Sequence, residues 1–366
     1  MFILKLSLLN FKNHTERHFE FSPEINCFVG NNGVGKTNVL DALHYLSVGK
    51  SFLGNTDANN IASGEDFFSI EAGISTEEKD SIIKIILPRD AKKLIKKNDK
   101  SYDRISDHIG FLPSVIISPY DSNLITDSGE SRRKFLDSMI SQTDSTYLYS
   151  LIQYQKIIKQ RNALLKYFSK NRTYDANALE IYNQPLTKFG AEIYTKRSNF
   201  ITQLLPIIQQ YYEIISNGIE KINVGYETQL HTENSDEVET RFLALLNQNN
   251  SRDRMLTYTS TGIHKDDLLF TMNEIPIKKI GSQGQQKSFL IALKLAQMIV
   301  MKNLTGKTPL LLLDDIFDKL DDSRVSQLVK LVNQEHFGQI FITDTNRERT
   351  ENVVKRINEE SRIFEL

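Results

Sequence analysis

Cysteine is almost missing from this sequence: Cys27 is the only one in 366 residues. A lone thiol forms no intrachain disulfide and has no cysteine partner for a zinc cluster. Its place in the apolar run Ile25-Asn26-Cys27-Phe28-Val29 reads as a small buried residue. Net charge is almost missing too. Lys and Arg number 45 against 46 Asp and Glu, a balance of -1. No whole-molecule field draws in DNA or an anionic membrane, so polyanion binding must come from local patches. No apolar stretch approaches the ~18–20 residues of a membrane span. No basic leader with a cleavage site follows Met1, and no repeat, low-complexity block or long linker interrupts the chain. Together these absences predict a reduced, cytoplasmic setting with no membrane partner.

What remains is an ordinary globular composition, 40% hydrophobic and 25% charged, patterned as α/β at both ends and helical in the middle. Strands are predicted at Phe2 to Leu9, Phe19 to Phe21 and Ile25 to Val29, followed by a glycine-rich turn and a helix from Thr37 to about Val48. Strand-like runs return at Phe68 to Ile74, Ser81 to Leu87 and Pro113 to Ile117. From Ser131 the apolar period becomes helical. Leu148, Leu151, Ile152, Ile158, Leu165 and Phe168 form one stripe. Ile193, Phe200, Ile201, Leu204, Ile208, Tyr211 and Ile215 form another, with Pro185 in or near the connection and Pro206 a kink. Strands follow at Lys221 to Tyr226 and Leu268 to Met272, a helix at Gln286 to Met301, strands at Leu310 to Leu313 and Gln339 to Thr343, and a polar C-terminal helix. The expected division is residues 1–120 and 221–366 as the two halves of one ATPase lobe, with 121–220 as a helical insertion.

Gly30-Asn31-Asn32-Gly33-Val34-Gly35-Lys36-Thr37 fits G-x-x-x-x-G-K-[ST] at every fixed position, with a strand entering and a helix leaving. Glycines let backbone N–H groups curl around phosphate, and the helix N-terminus adds its positive end. The nucleotide-binding set runs from Gly30 to Asn38. Lys36 is expected on the β- and γ-phosphates of ATP and Thr37 on Mg²⁺. Leu310 to Leu313, then Asp314-Asp315, supplies the acidic partner: a buried strand with carboxylates at its C-terminal end, where open α/β sheets collect ligands. Asp314 is expected to hold Mg²⁺ through its water shell, and Asp315 to orient or deprotonate the attacking water. Ser282-Gln283-Gly284-Gln285 precedes a helix just upstream of that strand. By itself such a turn could be a simple N-cap. In this order it matches the signature motif of ABC-type ATPases, which caps ATP held by another copy. Asp321 falls at the D-loop position, and Thr343 where a γ-phosphate-sensing residue sits. The fold class expected is therefore an α/β ABC-type ATPase head with an inserted helical lobe.

Other stretches sharpen this. Asn10-Phe11-Lys12-Asn13, Ser51-Phe52, Ser118-Pro119-Tyr120-Asp121, Arg132 to Asp137, Gln160 to Lys166, Gly262 to Asp267 and Leu293 to Ala296 occur in an order that resembles the RecF family of bacterial recombination mediators over nearly the whole chain. The resemblance implies an ATP-dependent homodimer on DNA, preferring gapped or single-strand/double-strand junctions, and cooperation with RecR and RecO. The chain departs from the family at Leu53, Ile263, Lys265 and Asp344. The nearest alternative is a Rad50- or SMC-like ATPase head. Those proteins carry hundreds of heptad residues between the two motifs, whereas Thr37 to Ser282 leaves room only for a helical hairpin.

Several charged groups have two readings. His264 with Asp266 and Asp267 suggests a metal cluster, but no second histidine stands at ligand spacing, and a hydrogen-bonded turn fits better. Arg132, Arg133 and Lys134 could sense nucleotide or contact phosphate, or form a solvated first helical turn. Arg89 to Arg104 holds seven Lys and Arg against three Asp, a local balance of +4. On a hairpin turning near Asn98-Asp99, Lys92, Lys93, Lys96, Lys97 and Lys100 are either DNA-backbone contacts or edge protection.

Overall fold

The computed structural model describes residues 1–54, 56–77, 79–216, 220–232, 234, 237–316, 327, 331, 337–357 and 361–366. They form two compact units: residues 1–122, 207–220 and 281–366, and residues 123–206 and 221–280.

The first unit holds two sheets. Strands β1 (Phe2–Phe11), β2 (His14–Glu20), β4 (Phe67–Ser75), β5 (Ser81–Pro88), β6 (Leu94–Lys97) and β7 (Lys100–Ser101) make an antiparallel sheet in the order β2-β1-β4-β5-β6-β7. One face is buried and the other exposed, as alternation along β5 requires. Strands β3 (Ile25–Val29), β8 (Ser114–Ile117), β12 (Leu310–Leu313), β13 (Ile340–Asp344) and β14 (Ser361–Glu365) form the second sheet, order β14-β3-β13-β12-β8, all parallel. Every residue of β3, β8, β12 and β13 is buried, the pattern of a parallel sheet covered on both faces. Helix α1 (Lys36–Val48) packs against strands of both sheets. Val39, Leu43, Leu6, Phe68, Ile83, Phe28, Leu312 and Phe341 meet in one core.

In the second unit, helices α2 (Asn123–Thr126), α3 (Gly129–Thr143), α4 (Ser145–Asn171), α6 (Val238–Gln248), α7 (Asn250–Leu256) and α8 (Ile277–Ile280) join a three-stranded antiparallel sheet, β9 (Ile222–Glu227), β10 (Asp267–Met272) and β11 (Ile275–Pro276), in the order β11-β10-β9. Helix α5 (Ala176–Ser216) runs through residues of both units. The sequence division at residue 220 put residues 221–280 with the ATPase half, whereas they cluster with 123–206. Buried arginines explain the grouping. Arg161 of α4 donates to Asp253 at 2.8 Å, Thr259 at 2.8 Å and Asn183 at 2.9 Å. Arg197 of α5 donates to Asp137 at 2.7 Å, to the Ile263 carbonyl at 2.9 Å and to Asp266 at 3.3 Å.

The predicted stripe of α4 holds at Leu151, Leu165 and Phe168 and omits two buried polar groups. Tyr154 and Arg161 lie on the buried face, while Ile152 is 43% exposed. An apolar count misses a helix face whose buried cation is neutralised by distant carboxylates. Pro185 lies inside α5, not in the connection. The turn comes earlier, between Arg172 at φ 53° and Asp175, whose carboxylate accepts the Asn177 and Ala178 N–H groups. The polar C-terminal helix is α10 (Arg347–Ile357), but the five-residue strand β14 follows it. Helix α9 (Gln283–Thr305) corrects the expectation about apolar length: by length and composition it could cross a membrane, yet 72% of that stretch is buried within the fold. It is a core helix.

Candidate nucleotide-binding site

The loop after β3 turns through left-handed backbone at Gly33 (φ 86°) and Gly35 (φ 108°), and Gly35 is the N-cap of α1. A Cβ at Gly35 would lie 2.7 Å from the side chains of Asn13 and His14, so only glycine fits this approach. Lys36 is buried and its ammonium donates to the carbonyls of Gly30 at 2.8 Å and Asn31 at 2.9 Å, closing the loop on itself.

Strands β12 and β13 bring the acidic residues to the same sheet edge. Asp314 Oδ1 accepts from Thr37 Oγ1 at 2.8 Å and from Thr343 Oγ1 at 2.9 Å. The Asp315 N–H donates to Thr343 Oγ1 at 3.0 Å. Thr343 thus holds both aspartates in place. Burial pushes the Asp314 carboxyl up from its ordinary range, opposed by these two hydroxyls and by Lys36. A buried carboxylate beside a threonine hydroxyl offers the oxygen donors that a hard cation takes. Asp315 sits at φ 45°, an uncommon backbone for a non-glycine residue that turns the chain sharply at the end of β12. Beside the aspartates a cavity of about 180 Å³ is walled by Ser118, Asp121, Lys287 and Leu290.

Ser282 caps α9 in a capping box: its hydroxyl accepts the Gln285 N–H, and the Gln285 side chain accepts the Ser282 N–H. Gln285 also donates to Glu220 at 2.7 Å. Ser282 and Gln283 are exposed, and Gly284 is partly buried. Asp321 lies outside the described residues.

The turn from β1 to β2 supplies residues that motif matching did not assign to the site. Asn13 donates to the Gly33 carbonyl at 3.4 Å and accepts from Asn38 at 2.7 Å. His14 Nε2 contacts the Gly35 carbonyl at 3.1 Å, and burial lowers its pKa, favouring the neutral ring. Lys12 reaches Asp41 of α1 at 2.5 Å. Asp41 also accepts from the Ser51 hydroxyl and the Phe52 N–H, both at 2.8 Å. Asn-Phe-Lys-Asn and Ser-Phe, far apart in sequence, therefore converge on one buried carboxylate of the helix that carries the loop.

The remaining charged motifs are engaged by groups of the fold, the Lys134–Glu130 pair on its surface. Lys294 pairs with Asp121 at 2.6 Å and donates to the Ile116 carbonyl. Arg132 forms a two-pronged pair with Asp267 at 2.7 Å, Arg133 donates to the Asp266 carbonyl, and Lys134 pairs with Glu130. His264 sits between the Tyr154 hydroxyl and the Thr259 carbonyl, with burial lowering its pKa to about 4. The contacts of His264, Asp266 and Asp267 are side-chain and backbone hydrogen bonds and ion pairs within the fold. Asp344 caps the start of α10 through Asn346, Arg349 and Thr350.

In the basic hairpin, Asn98 and Asp99 form the turn, both with positive φ. Lys92 and Lys100 are exposed and Lys96 partly so. Lys97 lies over the Phe111 ring at 3.9 Å. Lys93 has a different role from the one expected of it. Its ammonium is taken up by the Gly49 carbonyl (2.5 Å), Asp57 (2.7 Å) and the Tyr45 hydroxyl (2.9 Å) at the C-terminal end of α1. An ammonium so engaged is not offered to a phosphate backbone.

A phosphate-type loop, an acidic strand end and an N-cap serine on a core helix define an α/β ABC-type ATPase head with a helical lobe. Residues 2–363 match the model of the RecF/RecN/SMC N terminal domain. The chain is 52% identical over 366 residues, the full length of both, to the DNA replication and repair protein RecF of Flavobacterium johnsoniae. It is 44% identical to that of Phocaeicola vulgatus, covering all of this chain and 96% of that protein. A solved structure of the recombination mediator protein RecF-ATPrS in the RecFOR pathway aligns with TM-score 0.89 at 27% identity, over 100% of this chain and 96% of that one. An Smc head bound to the C-winged helix domain of ScpA aligns at 0.55 and 14% identity, over 96% and 92%, a likeness of fold. The chain belongs to the RecF family of DNA replication and repair proteins.

Proposed function

We propose that this chain is a cytoplasmic, ATP-dependent DNA-binding recombination mediator. It acts at gapped or single-strand/double-strand junctions, dimerises around ATP, hydrolyses it slowly, and cooperates with RecR and RecO. The observation that carries the reading is the hydroxyl–carboxylate chain Thr37–Asp314–Thr343–Asp315 beside the Lys36 loop.

The loop N–H groups and Lys36 hold the phosphates of ATP, Lys36 exchanging its two loop carbonyls for phosphate oxygens. Thr37 and Asp314 suit Mg²⁺, which takes oxygen donors from one or two protein groups together with substrate phosphates. When bound, the ion supplies charge neutralisation at the β- and γ-phosphates. Asp315, its backbone fixed by Thr343, orients or deprotonates the attacking water. Its side chain is one methylene shorter than a glutamate, so its reach is poorer and turnover slow. Exposed Ser282 and Gln283 meet the γ-phosphate held by a second copy, and Asp321 holds the D-loop position of the sequence. Lys92, Lys96 and Lys100 contact the DNA backbone, with Lys97 beside them.

Binding of a fluorescent ATP analogue tests the base of this reading. Lys36 contributes charge-assisted hydrogen bonds of roughly 1.5–3 kcal/mol. Lys36→Ala should weaken nucleotide binding by about one to two orders of magnitude. Wild-type affinity in that variant would remove Lys36 from the site.

A further inference from the structure

At the corner between α4 and α5, the second unit carries an open groove of about 520 Å³ that has no part in the nucleotide site. Its apolar floor is Leu165 and Phe168, and its rim is Arg172, Tyr174, Arg254 and Met255. The chemistry of the rim is uneven in a useful way. Met255 is 79% exposed, the largest value among the exposed large hydrophobics of the described residues, and Tyr167, Tyr174, Leu256 and Tyr258, close to it or to the groove residues in sequence, are also exposed. Solvent-facing Met, Tyr and Arg together are the composition of protein interfaces, and a contiguous apolar patch on a soluble surface marks a binding face.

The charge at the rim is mainly positive. Arg172 and Arg254 line the groove, and Lys170 and Arg252, exposed beside them in sequence, add to it. Of the two neighbouring carboxylates one is neutralised within the fold and the other is engaged as a helix cap. Asp253 is fully buried against Arg161, and Asp175 caps α5. Arg254 is also held in place, its guanidinium stacked 3.9 Å from the centre of the Tyr174 ring, whose hydroxyl accepts from the Asn250 amide at 2.6 Å. A fixed guanidinium loses less entropy when it takes a carboxylate.

We propose that this groove docks an acidic peptide segment of a partner protein, with an apolar side chain on the Leu165–Phe168 floor and flanking carboxylates on Arg172 and Arg254. A single nucleic-acid strand fits less well. Base stacking needs free ring faces; of the two lining rings, Phe168 is only 6% exposed and Tyr174 has one face covered by Arg254 and a T-shaped contact with Phe168.

Fluorescence anisotropy on the full chain tests this with a labelled peptide, Asp-Asp-Leu-Asp-Asp-Phe-Asp-Asp. The controls are the same peptide with Asn for every Asp, and a labelled oligothymidylate of about twelve nucleotides. The acidic peptide should bind in the micromolar range and the Asn peptide at least roughly tenfold more weakly. Arg172→Gln and Arg254→Gln should each weaken the acidic peptide by roughly tenfold, and Met255→Asp should do the same by placing a like charge at the rim. ATP and oligothymidylate binding should stay at wild-type levels in all three, which also shows that they fold. No binding of the acidic peptide, equal binding of both peptides, or wild-type binding by the arginine variants would overturn the proposal. So would loss of oligothymidylate binding in those variants, which would make the groove a nucleic-acid contact.

Discussion

Asp41→Asn changes one oxygen for an amide in the middle of α1 and should cost more than most core truncations. In the native fold Asp41 is fully buried and Lys12 opposite it only 8% exposed at 2.5 Å. Asparagine keeps the Oδ1 acceptor for the Phe52 N–H, while the Ser51 hydroxyl, which donates to Oδ2, must turn to accept from the new amide, so the substitution removes the charge and redirects one hydrogen bond. Breaking a buried pair by removing one partner costs about 3–5 kcal/mol, because the other charge is left uncompensated. Asp41→Ala should cost more again, since a buried donor without an acceptor adds roughly 1–3 kcal/mol. The double variant Lys12→Met/Asp41→Asn leaves no buried charge and keeps an acceptor for the Phe52 N–H, and should recover most of the loss, to within about 2 kcal/mol of wild type. Urea unfolding by circular dichroism measures each step. Because Asn13 and His14 follow Lys12 onto the loop, Asp41→Asn should also weaken ATP binding in conditions where the fold persists. The reasoning is refuted if Asp41→Asn costs less than about 1 kcal/mol, or if the double variant is as unstable as the two single losses added.

Two further outcomes follow from the charges. Burial lowers His264 from 6.5 to about 4, so the unfolded chain takes up that proton first as the pH falls. Its contribution is intact above pH 6.5 and is lost progressively down to about pH 4, at most ~3 kcal/mol; His264→Gln should flatten the stability profile in that window, and an unchanged slope would exclude the histidine. Replacing Lys96 and Lys100 with Ala should flatten the salt dependence of DNA affinity by about two units of slope. Lys93→Met should leave that slope alone and lower stability instead, and the reverse pattern would put Lys93 on DNA.

The loop, the acidic strand end and the capping serine were legible because each is a local pattern: a glycine at positive φ, a run of buried leucines, a polar N-cap before an apolar helix. Asp41 was not. Its partners come from residues 12, 51 and 52, and only the folded sheet and helix bring them together. Lys93 misled for the same reason, since a lysine in a basic hairpin looks solvated until Gly49, Tyr45 and Asp57 close around it. Arg161 and Arg197 were missed because they lie on the buried faces of α4 and α5 as paired cations, which an apolar pattern leaves out. Strand β14 is short and partly polar, and its pairing with β3 is a long-range contact that no local pattern carries.

That one copy completes another's ATP site is tested most directly by the mass of the protein with and without ATP, in wild type and in Ser282→Arg. Ser282 caps α9 from an exposed position, so an arginine there obstructs closure between copies and leaves the loop at Gly30 to Thr37 intact. Light scattering or mass photometry should find a wild-type dimer with ATP, and a Ser282→Arg monomer that still binds nucleotide with nearly wild-type affinity. An ATP-dependent dimer of normal stability formed by Ser282→Arg would contradict the shared site.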